Sequence, residues 1–445
     1  MININSDIIL MILTTQSQNL VDFINSMDIS QYPESNQIIA LKEKSIPLLS
    51  KIIKNMQIEF IRSIKINHKF NGSMVIELMK YANDFRFKNF INSVNSKSLS
   101  KEEMYDFINY NNNEIHEIIP DIDELPKKFG NILKYYPKNL LSRFVPPSIQ
   151  DDIINRLRLL NVYKVVYKTN ILNFYFYTED KIDYNKMIVL FLKAFFLLET
   201  FGIENKSIPI YLFFSNVKKR INYSQNYLGP REINSGVSSV PYFDHLSSEI
   251  CIFREEEIEK LLLHELVHAT KIDRDMRLTK SLDKQIKCNF NISKSIKINI
   301  FEAFTESVAF ILNIVFNSIL SYKDIVEILN NEFKFSIYQC AKIIKFYGYE
   351  SVDQLFCENC CFDGDASWNE KTSVFSYFLL KTCIIYGSDL FIKDLLDNTL
   401  NVKKLLKRIK SNFKKIKNLL GEFINKDLSK NDTLRMTLYD FEWSF

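Results

Sequence analysis

The chain has 445 residues, 47% of them hydrophobic, a net charge of +4 and seven cysteines. That length suffices for two or three domains with sizeable cores, and the small net charge singles out no class of partner. None of the 9 glycines is spaced Gly-x-Gly, so a dinucleotide fingerprint and a Walker loop are absent and nucleotide-dependent chemistry is not expected.

Residues 1 to about 140 are helical by periodicity, and Pro120, Pro126, Pro137, Pro146 and Pro147 punctuate the exit from this stretch. It holds no catalytic constellation and reads as a prodomain-like or substrate-presenting module, or as a structural wrap. The start lacks a basic n-region, and Ile8 to Leu13 is too short for a signal core. The longest apolar stretch, Met187 to Phe201, is interrupted by Lys193 and Glu199 and falls short of a membrane span. A soluble, intracellular protein is expected, and seven scattered cysteines agree with a reducing compartment.

Val162 to Tyr167 and Ile171 to Tyr177 alternate β-branched and aromatic residues around Lys168-Thr169-Asn170, which predicts a hairpin. Lys186 to Phe201 has a helical, strongly apolar pattern. Ile208 to Phe214 and Glu249 to Phe253 read as strands, with Ile233 to Ser239 between them as a plausible edge strand or an ordinary turn. Acidic residues 255 to 257 then suit the positive end of a following helix.

That helix carries the most informative motif, His264-Glu265-Leu266-Val267-His268, inside the apolar run Leu261 to Ala269. Imidazoles four residues apart on a helix differ by about 40° in azimuth and about 6 Å in rise, so both can face one ion. Glu265 can face the remaining coordination position. A zinc ion with an open position acidifies a water, and Glu265 is placed to take its proton. The competing reading is a pair of hydrogen-bonded core histidines. Burial weighs against it, because ionisable groups on a helix that is apolar all round need a metal or partners.

A third ligand is then required. The Gly-x-x-His continuation would need glycine and histidine where Lys271 and Arg274 stand, so that class is excluded. Downstream, Phe301-Glu302-Ala303-Phe304-Thr305-Glu306 opens an apolar helix running to about Phe316, with both carboxylates on the stripe that also carries Asn313. The two motifs together resemble the gluzincins, metallopeptidases with a thermolysin-like site. The resemblance covers about fifty residues, 255 to 310, and implies Glu302 as third zinc ligand. It also implies that Glu306 hydrogen-bonds a ligand imidazole and fixes its tautomer. The competing reading of Glu302 is a capping box with Asn299. In gluzincins the substrate backbone adds to an edge strand above the zinc, which points to Asn234, Ser235 and Gly236. A looser resemblance, on residues 233 to 268 and Tyr377 to Lys381, is to His-Glu-x-x-His proteins of large DNA viruses.

From about 335 to 425 the pattern is helical again. By the same resemblance Val374 to Tyr386 would wall the cleft, with Tyr377, Tyr223, Tyr227, Tyr242 and His245 competing to stabilise an oxyanion. Cys357, Cys360 and Cys361 lack the second pair that would complete a structural zinc site, so a reduced, partly buried trio is favoured. Asn401 to Phe423 is a basic amphipathic helix, read first as solvated with its apolar face on the core.

The expectation is an α+β protein: mostly helical, with a small mixed sheet packed on the zinc-binding helix, in regions 1–145, 146–330 and 331–445. The expected function is a zinc-dependent peptidase acting on a peptide or protein substrate, with His264, His268 and Glu302 on the metal and Glu265 as general base. The alternative is a non-catalytic, metal-stabilised protein that binds nucleic acid or an anionic membrane through the basic helix.

Overall fold

A computed structural model describes residues 10–13, 15–26, 35–65, 144–146, 149, 152–153, 156, 159–178, 184–239, 248–290, 292–293, 296–356, 368–426, 428 and 431–444. The chain enters with β1 (Leu10–Leu13), α1 (Thr15–Asn25), α2 (Asn36–Asn55) and β2 (Gln57–Lys65). The helical expectation for the N-terminal region therefore holds at α1 and α2 and fails at the two strands. In β2 Ile58 and Phe60 alternate with Gln57 and Glu59 at the strand period of two, and the pattern breaks at Ile61, where the pairing register shifts.

The expected hairpin is formed by β3 (Leu159–Tyr167) and β4 (Asn170–Tyr177), with Lys168 in the left-handed region (φ 53°) at the turn. The apolar helix α3 (Tyr184–Thr200) then crosses to β5 (Ser207–Ser215), parallel to β4. A single helical turn, Pro230–Ile233, leads to β6 (Gly236–Ser239), which is antiparallel to β7 (Glu249–Arg254). The resulting mixed sheet has the order β2-β3-β4-β5-β7-β6, so β6 is an edge strand. β7 is buried along its whole length, as expected of an interior strand in parallel pairing.

The His-Glu-x-x-His segment lies on α4 (Ile258–Ala269), which packs against β6, β7 and α3. After α5 (Lys280–Asn289) comes α6 (Ile300–Ser321), the helix of Glu302 and Glu306, packed against α4. Among the described residues α6 is the one helix long and apolar enough to cross a membrane, and 94% of its apolar window is buried inside the fold. α7 (Ile325–Phe346) follows. A π-helical turn, Ser376–Leu380, runs into α8 (Lys381–Ile385), followed by α9 (Ser388–Leu396) and α10 (Val402–Ile424). α10 is the basic helix. Its Leu405, Ile409, Phe413, Ile416, Leu420 and Phe423 are buried, and it packs on α7, so its apolar stripe is covered by the protein itself.

The last residues return to the core, where β8 (Phe441–Ser444) pairs with β1. Just before it, Leu434, Met436, Leu438 and Tyr439 are buried, and their backbone is held by two buried carboxylates. Glu332 accepts hydrogen bonds from Leu438 N at 2.8 Å and Tyr439 N at 3.1 Å; Glu257 accepts from Met436 N and Thr437 N, each at 2.6 Å. One continuous apolar core joins residues from Leu20 to Tyr439.

Candidate metal centre

His264 and His268 sit one turn apart on α4 with their rings 4.8 Å apart, and Glu302 reaches across from the first turn of α6. The two Nε2 atoms are 3.2 Å apart, and Glu302 Oε2 lies 3.1 Å from His268 Nε2 and 3.4 Å from His264 Nε2. Each imidazole places its other nitrogen on a carboxylate: His264 Nδ1 is 2.9 Å from Glu306 Oε2, and His268 Nδ1 is 2.6 Å from Asp273 Oδ2. With the ring protons on Nδ1, both Nε2 atoms carry lone pairs. Three lone-pair donors then converge with no hydrogen between them, an arrangement that only a cation stabilises. A tetrahedral ion bound at about 2.0–2.1 Å needs its ligand atoms about 3.3 Å apart, which these three atoms meet. The residues present therefore fit a divalent cation. In the metal-free protein protons compete for the same place: burial lowers the His268 pKa, but Glu302 and Asp273 outweigh it and raise it well above the usual value.

The capping-box reading of Glu302 does not apply. The Asn299 side chain makes no cap and donates instead to Ser373 Oγ at 2.9 Å, leaving Glu302 to face the histidines. Glu306 is buried where its helix position predicts, against His264. Its other oxygen is paired with the buried ammonium of Lys260, one turn before His264 on α4. Burial alone would raise the Glu306 pKa, but Lys260 and His264 hold it well below the usual carboxylate range. Asn313, on the same stripe, serves another buried cation, Lys193, which also pairs with Glu259 at 2.6 Å.

Asp273 is a further residue at the centre that helical spacing does not reveal. α4 ends in a reversal in which Ile272 N bonds Val267 O at 3.1 Å and Lys271 takes φ 61°, the geometry that glycine usually supplies. This reversal brings Asp273 back beside His268, and Thr305 on α6 lies 3.4 Å from the same carboxylate oxygen. The glutamates at the other end of α4 also do more than face the dipole. Glu255 pairs with Lys186 at 2.6 Å and Glu257 with Lys219 at 2.7 Å, while Glu256 accepts from Lys219 N at 2.8 Å.

Glu265 is buried next to the histidines, under the edge strand. Burial raises its pKa, the two imidazoles lower it less, and Ser238 hydrogen-bonds it. Gly236 lies against it so closely that a Cβ there would be 2.9 Å from Glu265 Oε1 and 3.3 Å from Cys251 O. Among Asn234, Ser235 and Gly236, Gly236 is thus the residue at the site. The other two anchor the strand behind it. Asn234 donates to Phe144 O at 3.2 Å, accepts from Thr372 Oγ1 at 2.8 Å and gives its carbonyl to Arg254 Nε at 2.8 Å. Ser235 O accepts from Phe253 N at 2.9 Å, and its hydroxyl is buried.

Of the five oxyanion candidates, Tyr377 is at the site, on the π-helical turn. Its ring is 5.8 Å from that of His264, and Glu302 is among the carboxylates that act on its hydroxyl. Burial and then the surrounding carboxylates push its pKa well up, so it remains a donor. Tyr223 packs by Phe346 and Tyr227 under the Lys371 ammonium. Tyr242 and His245, like Cys357, Cys360 and Cys361, lie outside the described residues.

No family model matches the chain, and no solved structure does. It is similar to an uncharacterized protein of Acanthamoeba polyphaga mimivirus, 25% identical over 306 residues, which cover 64% of this chain and 75% of the relative.

Proposed function

We propose that the protein is a zinc-dependent peptidase of gluzincin type that hydrolyses peptide bonds with Glu265 as general base. The observation that carries this reading is the triangle of His264 Nε2, His268 Nε2 and Glu302 Oε2, 3.1–3.4 Å on a side, with Glu265 buried next to it. Three protein ligands with an adjacent carboxyl describe a catalytic site, since a structural zinc would be closed by a fourth ligand. Bound there, zinc supplies a Lewis acid for the scissile carbonyl and acidity for the attacking water. Glu265 takes the proton from that water and passes it to the leaving amine nitrogen, a task suited to a carboxyl whose pKa is raised by burial. Tyr377, whose ring lies 5.8 Å from that of His264, would hydrogen-bond the carbonyl oxygen as charge develops on it. Among the described residues β6 is the edge strand of the sheet, and an extended peptide would add to its outer edge. The viral relative accords with a viral origin and adds nothing about activity.

The purified protein is expected to carry about one zinc per chain, because one complete ligand set is present. His264→Ala and Glu302→Ala should lose it, and removing zinc with a chelator should stop peptide hydrolysis until zinc is restored. Metal analysis showing Glu302→Ala fully loaded would move the third ligand elsewhere. Gly236→Ala makes a second test. The three atoms its Cβ would meet first belong to Glu265 and to the Cys251 carbonyl, so zinc content should stay and turnover should fall roughly tenfold to a hundredfold, the usual effect of a misplaced catalytic group.

The alternative, binding through the basic helix, is weakened by one observation: the apolar stripe of α10 is buried against the core, so it cannot enter a membrane interface.

A further inference from the structure

β6 lies against Glu265 at Gly236, and the first turn of α6 brings Glu302 to the histidines, so these two elements flank the ligand triangle; consecutive residues bond beside both. Thr372 donates to Asn234 Oδ1 at 2.8 Å, just before β6, and Ser373 accepts from Asn299 Nδ2 at 2.9 Å, at the start of α6. The neighbouring Lys371 N is fixed to Leu228 O at 2.9 Å. Residues 371–373 therefore bridge the approach to β6 and the start of α6. Asn234, where the crossing meets β6, lies only two positions before Gly236, which touches Glu265. At about 3.3 Å per extended residue, a peptide lying along β6 has room for about two residues between the reacting bond and this barrier. Charge indicates which chain end fits there. Arg231 and Lys371 are exposed near this segment, with the Lys371 ammonium 3.7 Å from the Tyr227 ring. The nearest carboxylates face inward: Glu232 accepts from Gly229 N at 3.0 Å, and Glu370 is buried, accepting from Trp368 Nε1 at 2.9 Å and Phe375 N at 2.6 Å. Burial also pushes the Glu370 pKa up to about 8, so it is uncharged near neutrality.

We infer that the cleft takes peptides by their carboxyl end, as a carboxypeptidase or a dipeptide-releasing carboxypeptidase, with the free carboxylate held between the 371–373 barrier and the Arg231 and Lys371 cations. This rests on the peptidase reading and narrows it to substrates ending within about two residues of the scissile bond. A peptide continuing past the barrier in both directions does not fit.

The test uses random-sequence fluorescent hexapeptide pools prepared as free acids, as C-terminal amides, as N-acetylated acids and as head-to-tail cycles. Binding is measured first, on zinc-loaded Glu265→Gln protein, so that affinity is read without turnover. Free acids should bind at least tenfold more tightly than amides, N-acetylation should change little, and Arg231→Ala with Lys371→Ala should erase the preference. Equal affinity for acids and amides, or a loss on N-acetylation instead, overturns the inference. Mass spectrometry of the pools after incubation with wild-type protein should show one or two residues released from the carboxyl end and intact cycles. Cycles opened as fast as free acids are trimmed would refute the blocked end and leave the peptidase reading standing. If zinc-loaded wild type cleaves no pool, the peptidase reading fails, and this inference falls with it.

Discussion

Replacing Glu265 with glutamine should leave zinc content at about one per chain and lower peptide hydrolysis by roughly two orders of magnitude or more. The side chain is buried, against Gly236, and is not among the three converging ligand atoms. Glutamine keeps its volume and can keep the contact with Gly236, but it cannot take a proton at the reacting water. The change therefore removes one chemical function while the ligand triangle, Glu306 and Asp273 stay in place. A parallel measurement of metal content separates this outcome from collapse of the site. Turnover equal to wild type, with zinc retained, would falsify the assignment of Glu265 as the base.

The parts of the site that were legible in the sequence are those carried by helical periodicity. His264, Glu265 and His268 share one face of α4, and Glu302 and Glu306 share one stripe of α6. Both helices are apolar all round, so their charged residues stand out against the background. Asp273 was not legible, because a left-handed Lys271, rather than a glycine, turns the chain back towards His268. Lys260 is illegible for a different reason: a lone lysine looks solvent-bound until the helix bearing its partner is known to be packed against it. The same limit hides β2, whose alternation is short, breaks at Ile61 and lies in a stretch otherwise read as helical. It also hid the C-terminal segment, which is buried by hydrogen bonds to Glu257 and Glu332 that no local pattern announces. Among the tyrosines, composition could not choose; the π-helical turn that carries Tyr377 to Glu302 does.

Glu306→Ala should show how far the metal and the fold depend on one carboxylate. Its two oxygens have different partners, His264 Nδ1 at 2.9 Å and the ammonium of Lys260, and all three groups are buried. Losing the first contact frees the His264 ring to rotate and to change tautomer, so zinc affinity should fall by about tenfold to a hundredfold. Losing the second leaves Lys260 as a buried charge without its direct partner, at a cost of about 3–5 kcal/mol in stability. The two effects can be separated. In the double variant Glu306→Leu with Lys260→Met, both charges are replaced by apolar groups of similar size, and much of the stability should return. Zinc affinity should not, because His264 Nδ1 still has no acceptor. Chelator titration and denaturant unfolding of the two variants beside wild type read these quantities independently. If the double variant regained full zinc affinity, Glu306 would act on the metal through the fold and not through the His264 imidazole.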